Sequence, residues 1–340
     1  MKVAGFDIGG ANTDLAVIDF DEEGNIKEIK TDFEYLPMWS QNDKLGVTLI
    51  DLIENICPVE EIDAVGISMT AELVDAFETK TEGVLDIANT CEKFFDVPVA
   101  YIGLNGVLSL EDLIKNPLDV AAANWKATSQ IIAEIEKNCI FVDTGSTTTD
   151  IIPIKNGEEC AKGRTDFERS ATGELVYTGT LRTNLTSFVD SIPINDGNYR
   201  VASELFAITA DVYNVLDLIK DEDYVCATCD GEGKTKEESA RRISRVVCAD
   251  LDILSIDEIV NVADFIHQAQ IKQIAGGIKE VSEREGLNTV VVTGLGKDIL
   301  CAPAAKSLDL KVKSMGDYYT DEECVVAPAI GTALMMKNYI

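Results

Sequence analysis

Short apolar runs, each closed by a turn, open the chain. Lys2 to Asp7, Leu15 to Phe20 and, past the Glu23-Gly24-Asn25 turn, Ile26 to Thr31 read as three hairpin-linked strands. The spacing then becomes helical: Leu45, Leu49, Leu52, Ile53 and Ile56 share one face of a helix over residues 43–56. Ala64 to Ser68 returns to strand, residues 80–95 to helix, and Val99 to Ile102 to strand. A helical connection is expected through Asp112 to Lys137.

At Cys139 the pattern restarts. An apolar run to Val142, a polar turn from Asp143 to Thr149 and a strand from Asp150 to Lys155, closed by Asn156-Gly157, repeat the opening motif. Both segments carry an Asp after an apolar strand, a Gly two residues later, small hydroxyl residues, and a second Asp seven residues after the first. The tail adds a long helix from Ile256 to Glu285 ended by Gly286, a strand from Thr289 to Thr293 entering Gly294-Leu295-Gly296-Lys297 and a helix, and a last helix from Ala329 to Lys337. A duplicated motif of this kind predicts two facing lobes. With phosphate-type turns at Asp7 to Thr13 and Asp143 to Asp150, it predicts an α/β chain of the actin-like, sugar-kinase and Hsp70-like ATPase superfold, a duplicated ribonuclease H-like fold of two lobes with an interlobe cleft. On the duplication alone, residues 1–138 with 325–340 form the first lobe and 139–324 the second.

Composition agrees with a folded globular chain: 340 residues, 46% hydrophobic, 26% charged and 8 prolines. Charge changes the picture more. Twenty-nine Lys and Arg against 60 Asp and Glu leave a net charge of −31, which disfavours nucleic acid and anionic membrane surfaces. A small anionic ligand is repelled by the same field, so a phosphate must be held by backbone N–H groups, a few local cations or a divalent metal. Mg²⁺ is therefore the expected cofactor. No basic leader and no uncharged stretch of 18 residues is present, which gives a cytoplasmic expectation. The nine cysteines are an odd number without a secretory signal, and reduced thiols follow.

In each turn glycine lets successive backbone N–H groups approach one phosphate, while hydroxyls add donors. Gly9, Gly10, Asn12 and Thr13 form the first candidate set; Gly145, Ser146, Thr147 and Thr148 form the second. Asp7 and Asp143, at strand ends, suit a Mg²⁺ or proton-accepting role, with Asp150 a further metal candidate. An ordinary hairpin turn would also use Asp and Gly; the second copy together with the Gly-x-Gly-Lys strand end decides against that reading. Gly294, Gly296 and Lys297 form a third candidate phosphate loop, a weak signal in isolation. Between residues 162 and 182, Lys162, Arg164, Arg169 and Arg182 outnumber three acids, which suits either an anion-binding surface or surface ion pairs. Cys226 and Cys229 have CxxC spacing but no second pair, and read as structural thiols. His267, the only histidine, lies in a helical stretch and reads as a surface or half-buried residue. Carboxylate and Mg²⁺ chemistry remains.

Three runs carry a more specific resemblance: Asp7-Ile8-Gly9-Gly10-Ala11-Asn12-Thr13, Asp143 through Ile154, and Gly173-Glu174-Leu175-Val176-Tyr177-Thr178-Gly179 with Arg182-Thr183. Together they resemble an archaeal methanofuran-biosynthesis family related to the hydantoinases and oxoprolinases, and the likeness runs from residue 1 to the Pro328–Ala333 segment. The resemblance implies a transferase in which the phenol oxygen of γ-glutamyltyramine displaces diphosphate from an aminomethylfuranylmethyl diphosphate. It places Asp7, Asp143 and Glu174 as catalytic candidates, the turns on the diphosphate, and Arg164, Arg169 and Arg182 on substrate carboxylate or phosphate. ATP is admitted but not required, the partners are small molecules, and a homo-oligomer is admitted. Two other readings compete: an ATP-dependent small-molecule kinase with Asp143 as base, and an ATPase that activates a partner enzyme through an iron–sulfur cluster on Cys226 and Cys229.

Overall fold

A computed structural model describes residues 1–340. The chain divides into two compact units, residues 1–138, 154–168 and 315–340 in one and residues 139–153 and 169–314 in the other. Six helices have ten or more residues: α1 (Leu45–Ile56), α2 (Lys80–Phe94), α3 (Asn124–Ile135), α4 (Lys236–Arg245), α5 (Ile256–Glu285) and α6 (Ala327–Tyr339). None is long and apolar enough to cross a membrane.

The first unit is built on β1 (Lys2–Ile8), β2 (Asn12–Phe20), β3 (Ile26–Tyr35), β4 (Ala64–Met69), β5 (Val99–Gly103) and β6 (Gly106–Leu108), in the spatial order β3-β2-β1-β4-β5-β6. The first three strands form the expected antiparallel meander, and β1, β4 and β5 run parallel. β4 is buried throughout and β1 nearly so, as strands covered on both faces should be. On one face Phe6, Ile8, Leu15, Val65 and Ile67 pack with Leu49, Leu52 and Ile53 of α1 and Val84 and Ile87 of α2.

The opposite face depends on glycine. A Cβ on Gly5 would lie 2.2 Å from the Ala329 carbonyl oxygen, and one on Gly66 would lie 2.9 Å from that of Thr332, so α6 seats directly on the backbones of β1 and β4. A Cβ on Gly331 would lie 2.2 Å from the Ala127 carbonyl oxygen, which brings α3 against α6 in the same way.

The connection from Asp112 to Lys137 is helical, as expected, but broken into pieces. A short helix, Leu110–Lys115, stops before Pro117, and α3 begins only at Asn124. Proline disfavours helical backbone in the residue before it, and Ala122 takes a left-handed φ of 49°.

The second unit holds β7 (Cys139–Thr144), most of β8 (Thr149–Lys155), β10 (Leu175–Val176), β13 (Thr289–Thr293) and β14 (Lys311–Ser314), in the order β10-β8-β7-β13-β14; the last residues of β8, 154–155, belong to the first unit and pair there with β9 (Glu158–Glu159). A separate hairpin joins β11 (Ser191–Ile194) to β12 (Gly197–Arg200). α5 is framed by a capping box between Ser255 and Glu258 and by Gly286 in the left-handed region, φ 68°. Its inner face, including Ile266, Ile274 and Ile278, joins Ile140, Val142, Ile151, Val290 and Val292 in the core. This fold is the α/β architecture expected from the duplicated turns.

Candidate functional site

The first turn joins β1 to β2 through Gly9, Gly10 and Ala11. The Gly9 amide donates to the Asn12 carbonyl at 2.9 Å, while the Gly10 and Ala11 amides donate to no acceptor in the chain. Asp7 is buried. Ser68 of β4 donates to its Oδ1 at 2.8 Å and Asn124 of α3 to its Oδ2 at 3.0 Å. Thr332 of α6 donates in turn to Ser68 Oγ at 3.0 Å. The glycine seats under α6 thus have a chemical consequence: they bring α6, and α3 with it, close enough to orient the Asp7 carboxylate.

Asp14 lies directly across the β1–β2 ladder from Asp7, where partners in an antiparallel pair project on one face. Its carboxyl is held well above the usual carboxylate range, first by burial and second by the charge of Asp7. Next to it the Thr13 hydroxyl is buried without a hydrogen-bond partner.

The second turn repeats this geometry. The Gly145 amide donates to the Thr148 carbonyl at 3.0 Å. The amides of Ser146, Thr147 and Thr148 donate to no acceptor in the chain, leaving three consecutive N–H groups for an anion. Asp143 is the penultimate residue of β7, and Gly294 lies so close that a Cβ there would stand 2.1 Å from Asp143 Oδ1. Gly296 donates its amide to the Thr144 carbonyl at 2.9 Å. Gly294 and Gly296 therefore meet the second turn, and Lys297, at the start of the following helical turn, pairs with Asp298 at 3.2 Å.

The segment Thr178 to Thr183 backs the same turn. The amides of Thr180, Leu181 and Arg182 donate to the carbonyls of Gly145 and Ser146 at 2.9–3.0 Å. A Cβ on Gly179 would lie 2.4 Å from the Thr147 amide nitrogen. Gln270 of α5 donates to Thr178 Oγ1 and to the Gly179 carbonyl, both at 2.8 Å. Arg182 reaches Thr147 Oγ1 at 3.4 Å, which places one cation on this turn.

Other candidates lie in enclosed pairs. Arg169 is fully buried and ion-paired with Asp150. Glu174 is fully buried between Arg284 and Thr172. Arg164, in the first unit, donates to the Leu104 carbonyl at 2.8 Å and to Asn105 at 2.9 Å. Cys226 and Cys229 are free thiols, each pushed up to about 11 by burial. His267 is half-buried, with Nε2 at 2.9 Å from the Ile299 carbonyl oxygen.

No group of three or more His, Cys, Asp or Glu side chains is arranged to hold a metal ion. A Mg²⁺ at either turn would therefore draw on one or two carboxylates, water and ligand phosphate, a coordination that this ion commonly adopts. Asp7 suits it, because two fixed donors orient the carboxylate. Asp150 has its carboxylate on Arg169.

Sequence reasoning did not find Ser68, Asn124 and Thr332, which reach Asp7 from distant segments. Asp14 was visible only as the counterpart of Asp150.

Comparison with known proteins adds a family context. A family model described as Hydantoinase/oxoprolinase matches residues 63–339. The chain is 39% identical over 343 residues to the (4-{4-[2-(gamma-L-glutamylamino)ethyl]phenoxymethyl}furan-2-yl)methanamine synthase of Methanocaldococcus jannaschii, covering 100% of this chain and 99% of that protein. The protein of the same name from Methanococcus vannielii is 42% identical over 207 residues, 60% of this chain and 93% of that one. Among solved structures, a nucleotide-free acetone carboxylase matches with a TM-score of 0.63 at 11% identity, over 98% of this chain and 70% of that chain. A ROK family glucokinase from Streptomyces griseus matches with a TM-score of 0.51 at 13% identity, over 99% and 100%. At such identities the likeness is one of fold, and it is the sugar-kinase and actin-like fold expected from the sequence.

Proposed function

The chain belongs to the hydantoinase/oxoprolinase family and, within it, to the furanylmethanamine synthases of methanofuran biosynthesis, with one of which it aligns end to end, and from that premise we propose that it is an ether-forming transferase. Its substrates would be an aminomethylfuranylmethyl diphosphate and γ-glutamyltyramine. The end-to-end match carries this reading, because the relative's name describes a phenoxymethylfuran, an aryl ether between a phenol and a furanylmethyl carbon. The kinase and activator readings are not favoured, since the relatives that align carry synthase names.

The bond changes are simple. The phenol loses its proton to a base, its oxygen forms a bond to the methylene carbon, and the bond from that carbon to the diphosphate oxygen breaks, with the electron pair leaving on diphosphate. The electron-rich furan stabilises positive charge on the methylene, so the protein must chiefly orient the two reactants and receive the departing charge.

We assign the diphosphate to the second turn, with the amides from Ser146 to Thr148, its hydroxyls and Arg182; within the first unit, Gly9, Gly10, Asn12 and Thr13 are anion-binding candidates in their own right. Gly294, Gly296 and Lys297 border the second turn. Asp143 is our choice of base, and Asp7 of ion holder. A bound Mg²⁺ would supply charge neutralisation to the leaving diphosphate. Arg164 is assigned to a substrate carboxylate, whereas the buried Arg169 and Glu174 brace the second unit. We place the reaction in the cytoplasm.

The test is incubation of the purified protein with both substrates, with Mg²⁺ and with excess chelator, following ether by mass spectrometry and diphosphate release. Ether formed in step with diphosphate is expected. Absence of ether with both substrates present would overturn the reading, and full activity in chelator would remove the metal from it.

A further inference from the structure

We propose that Tyr177 is a stacking platform for the aromatic ring of an arylmethyl diphosphate whose phosphates lie on the second turn. The proposal rests on the transferase reading and names a residue that determines its substrate class. Tyr177 is 72% exposed. One exposed aromatic needs no explanation by itself; its position is what counts here.

β10 pairs antiparallel with β8 in the register Leu175 to Asp150 and Val176 to Thr149. Tyr177 follows directly on the Val176–Thr149 pair that ends β10, and the Thr178 amide donates to the Val176 carbonyl at 2.8 Å, closing a tight turn on Tyr177 beside the segment whose amides are unengaged. Its neighbours and its exposure set the direction of the ring. Val176 and Thr178 turn towards α5: a Cβ on Gly277 would lie 3.0 Å from Val176 Cγ2, and Gln270 donates to Thr178 Oγ1. Tyr177, between them and exposed, projects away from α5 into solvent.

The segment cannot swing freely. Thr149 Oγ1 donates to the Thr178 carbonyl at 2.8 Å, and Thr209 and Gln270 both donate to the Gly179 carbonyl. An exposed ring is thus mounted on a braced backbone at the lip of an anion-binding turn, with Arg182 on the same turn. In an arylmethyl diphosphate the ring is one methylene from the first bridging oxygen. Phosphates on the Ser146–Thr148 amides would therefore leave the ring at that lip, where an offset stack on Tyr177 is the favoured aromatic contact. Inorganic diphosphate has no ring and would gain nothing from it.

The experiment compares binding of benzyl diphosphate and inorganic diphosphate to wild type, Tyr177→Ala and Tyr177→Phe by calorimetry. We expect Tyr177→Ala to weaken benzyl diphosphate about tenfold, the scale of one lost ring stack, with inorganic diphosphate unchanged and Tyr177→Phe like wild type. Unchanged inorganic diphosphate binding also shows that the variant is folded. In turnover, Tyr177→Ala should raise KM for the furanylmethyl diphosphate by a similar factor and leave KM for the phenol as it was. Equal weakening of both ligands, no weakening of either, or a Tyr177→Phe variant as weak as Tyr177→Ala would overturn the proposal. Should wild type form no ether, the transferase reading fails, while the binding comparison still decides the role of Tyr177.

Discussion

The two turns share a motif and a hydrogen bond, yet their polar groups are used differently. In the second copy, Thr149 is bonded to Thr144 and to the Thr178 carbonyl, and Asp150 is paired with buried Arg169. In the first, the equivalent Thr13 hydroxyl is buried without a partner and the equivalent Asp14 faces the carboxylate of Asp7. Unsatisfied buried groups cost stability and persist where something else requires them. The second turn thus commits Thr149 and Asp150 to its own rigidity and presents backbone amides, whereas the first keeps side-chain chemistry in reserve around one oriented carboxylate. Duplication preserved the backbone; the neighbours divided the labour.

The largest test of that division is Asp143→Asn against Asp7→Asn. Loss of a general base lowers kcat by about 10²–10⁴-fold, and added Mg²⁺ does not rescue it, so Asp143→Asn should show that loss at every metal concentration. Asp7→Asn should instead raise the Mg²⁺ requirement and recover much of its rate at high metal. Near-normal turnover of Asp143→Asn, or identical metal titrations for the two, would break the comparison.

Next in size is the brace. Arg169→Met leaves the largely buried Asp150 without its cation, and breaking such a pair costs about 3–5 kcal/mol; urea unfolding should register a loss near the lower figure. Arg169→Met with Asp150→Leu should recover most of it.

A smaller effect is expected from Asp14→Asn, read in thermal melts across pH. Because the folded-state carboxyl titrates above its ordinary value of 3.8, wild type binds the extra proton when folded, and that stability is complete below the ordinary value and lost as pH rises through the raised one. The variant should match wild type in acid and melt higher at neutral pH. A gap that opens only in acid would reverse the assignment. The smallest effect is expected from Cys226→Ser with Cys229→Ser, which should leave activity largely intact; loss of activity in a folded double variant would show that the thiols do more than fill space.

Much of this was legible in the sequence because it is local. Asp7 to Thr13 and Asp143 to Asp150 announce themselves through spacing, and α5 through its periodicity, Ser255 cap and Gly286 stop. What surrounds the turns was not legible. Ser68, Asn124 and Thr332 are ordinary polar residues on three separate elements, and only the close seating of α6 on Gly5 and Gly66 makes them neighbours. Arg169 stood out as a cation in an acidic chain and Glu174 only through the resemblance, but burial, which spacing does not report, set their partners. The break between Lys115 and Asn124 was signalled by Pro117 and missed, because the apolar pattern continues across it.

The seating of α6 also bears on how the chain matures during translation. Every segment assigned to the second unit precedes Met315, whereas the cover over one face of the first sheet arrives only with Ala327 to Tyr339. Residues 139–314 have thus left the ribosome before Asp7 can acquire its Thr332–Ser68 support. Until then the Gly5 and Gly66 backbone face lies bare, a transient surface of the kind that holds nascent chains on chaperones.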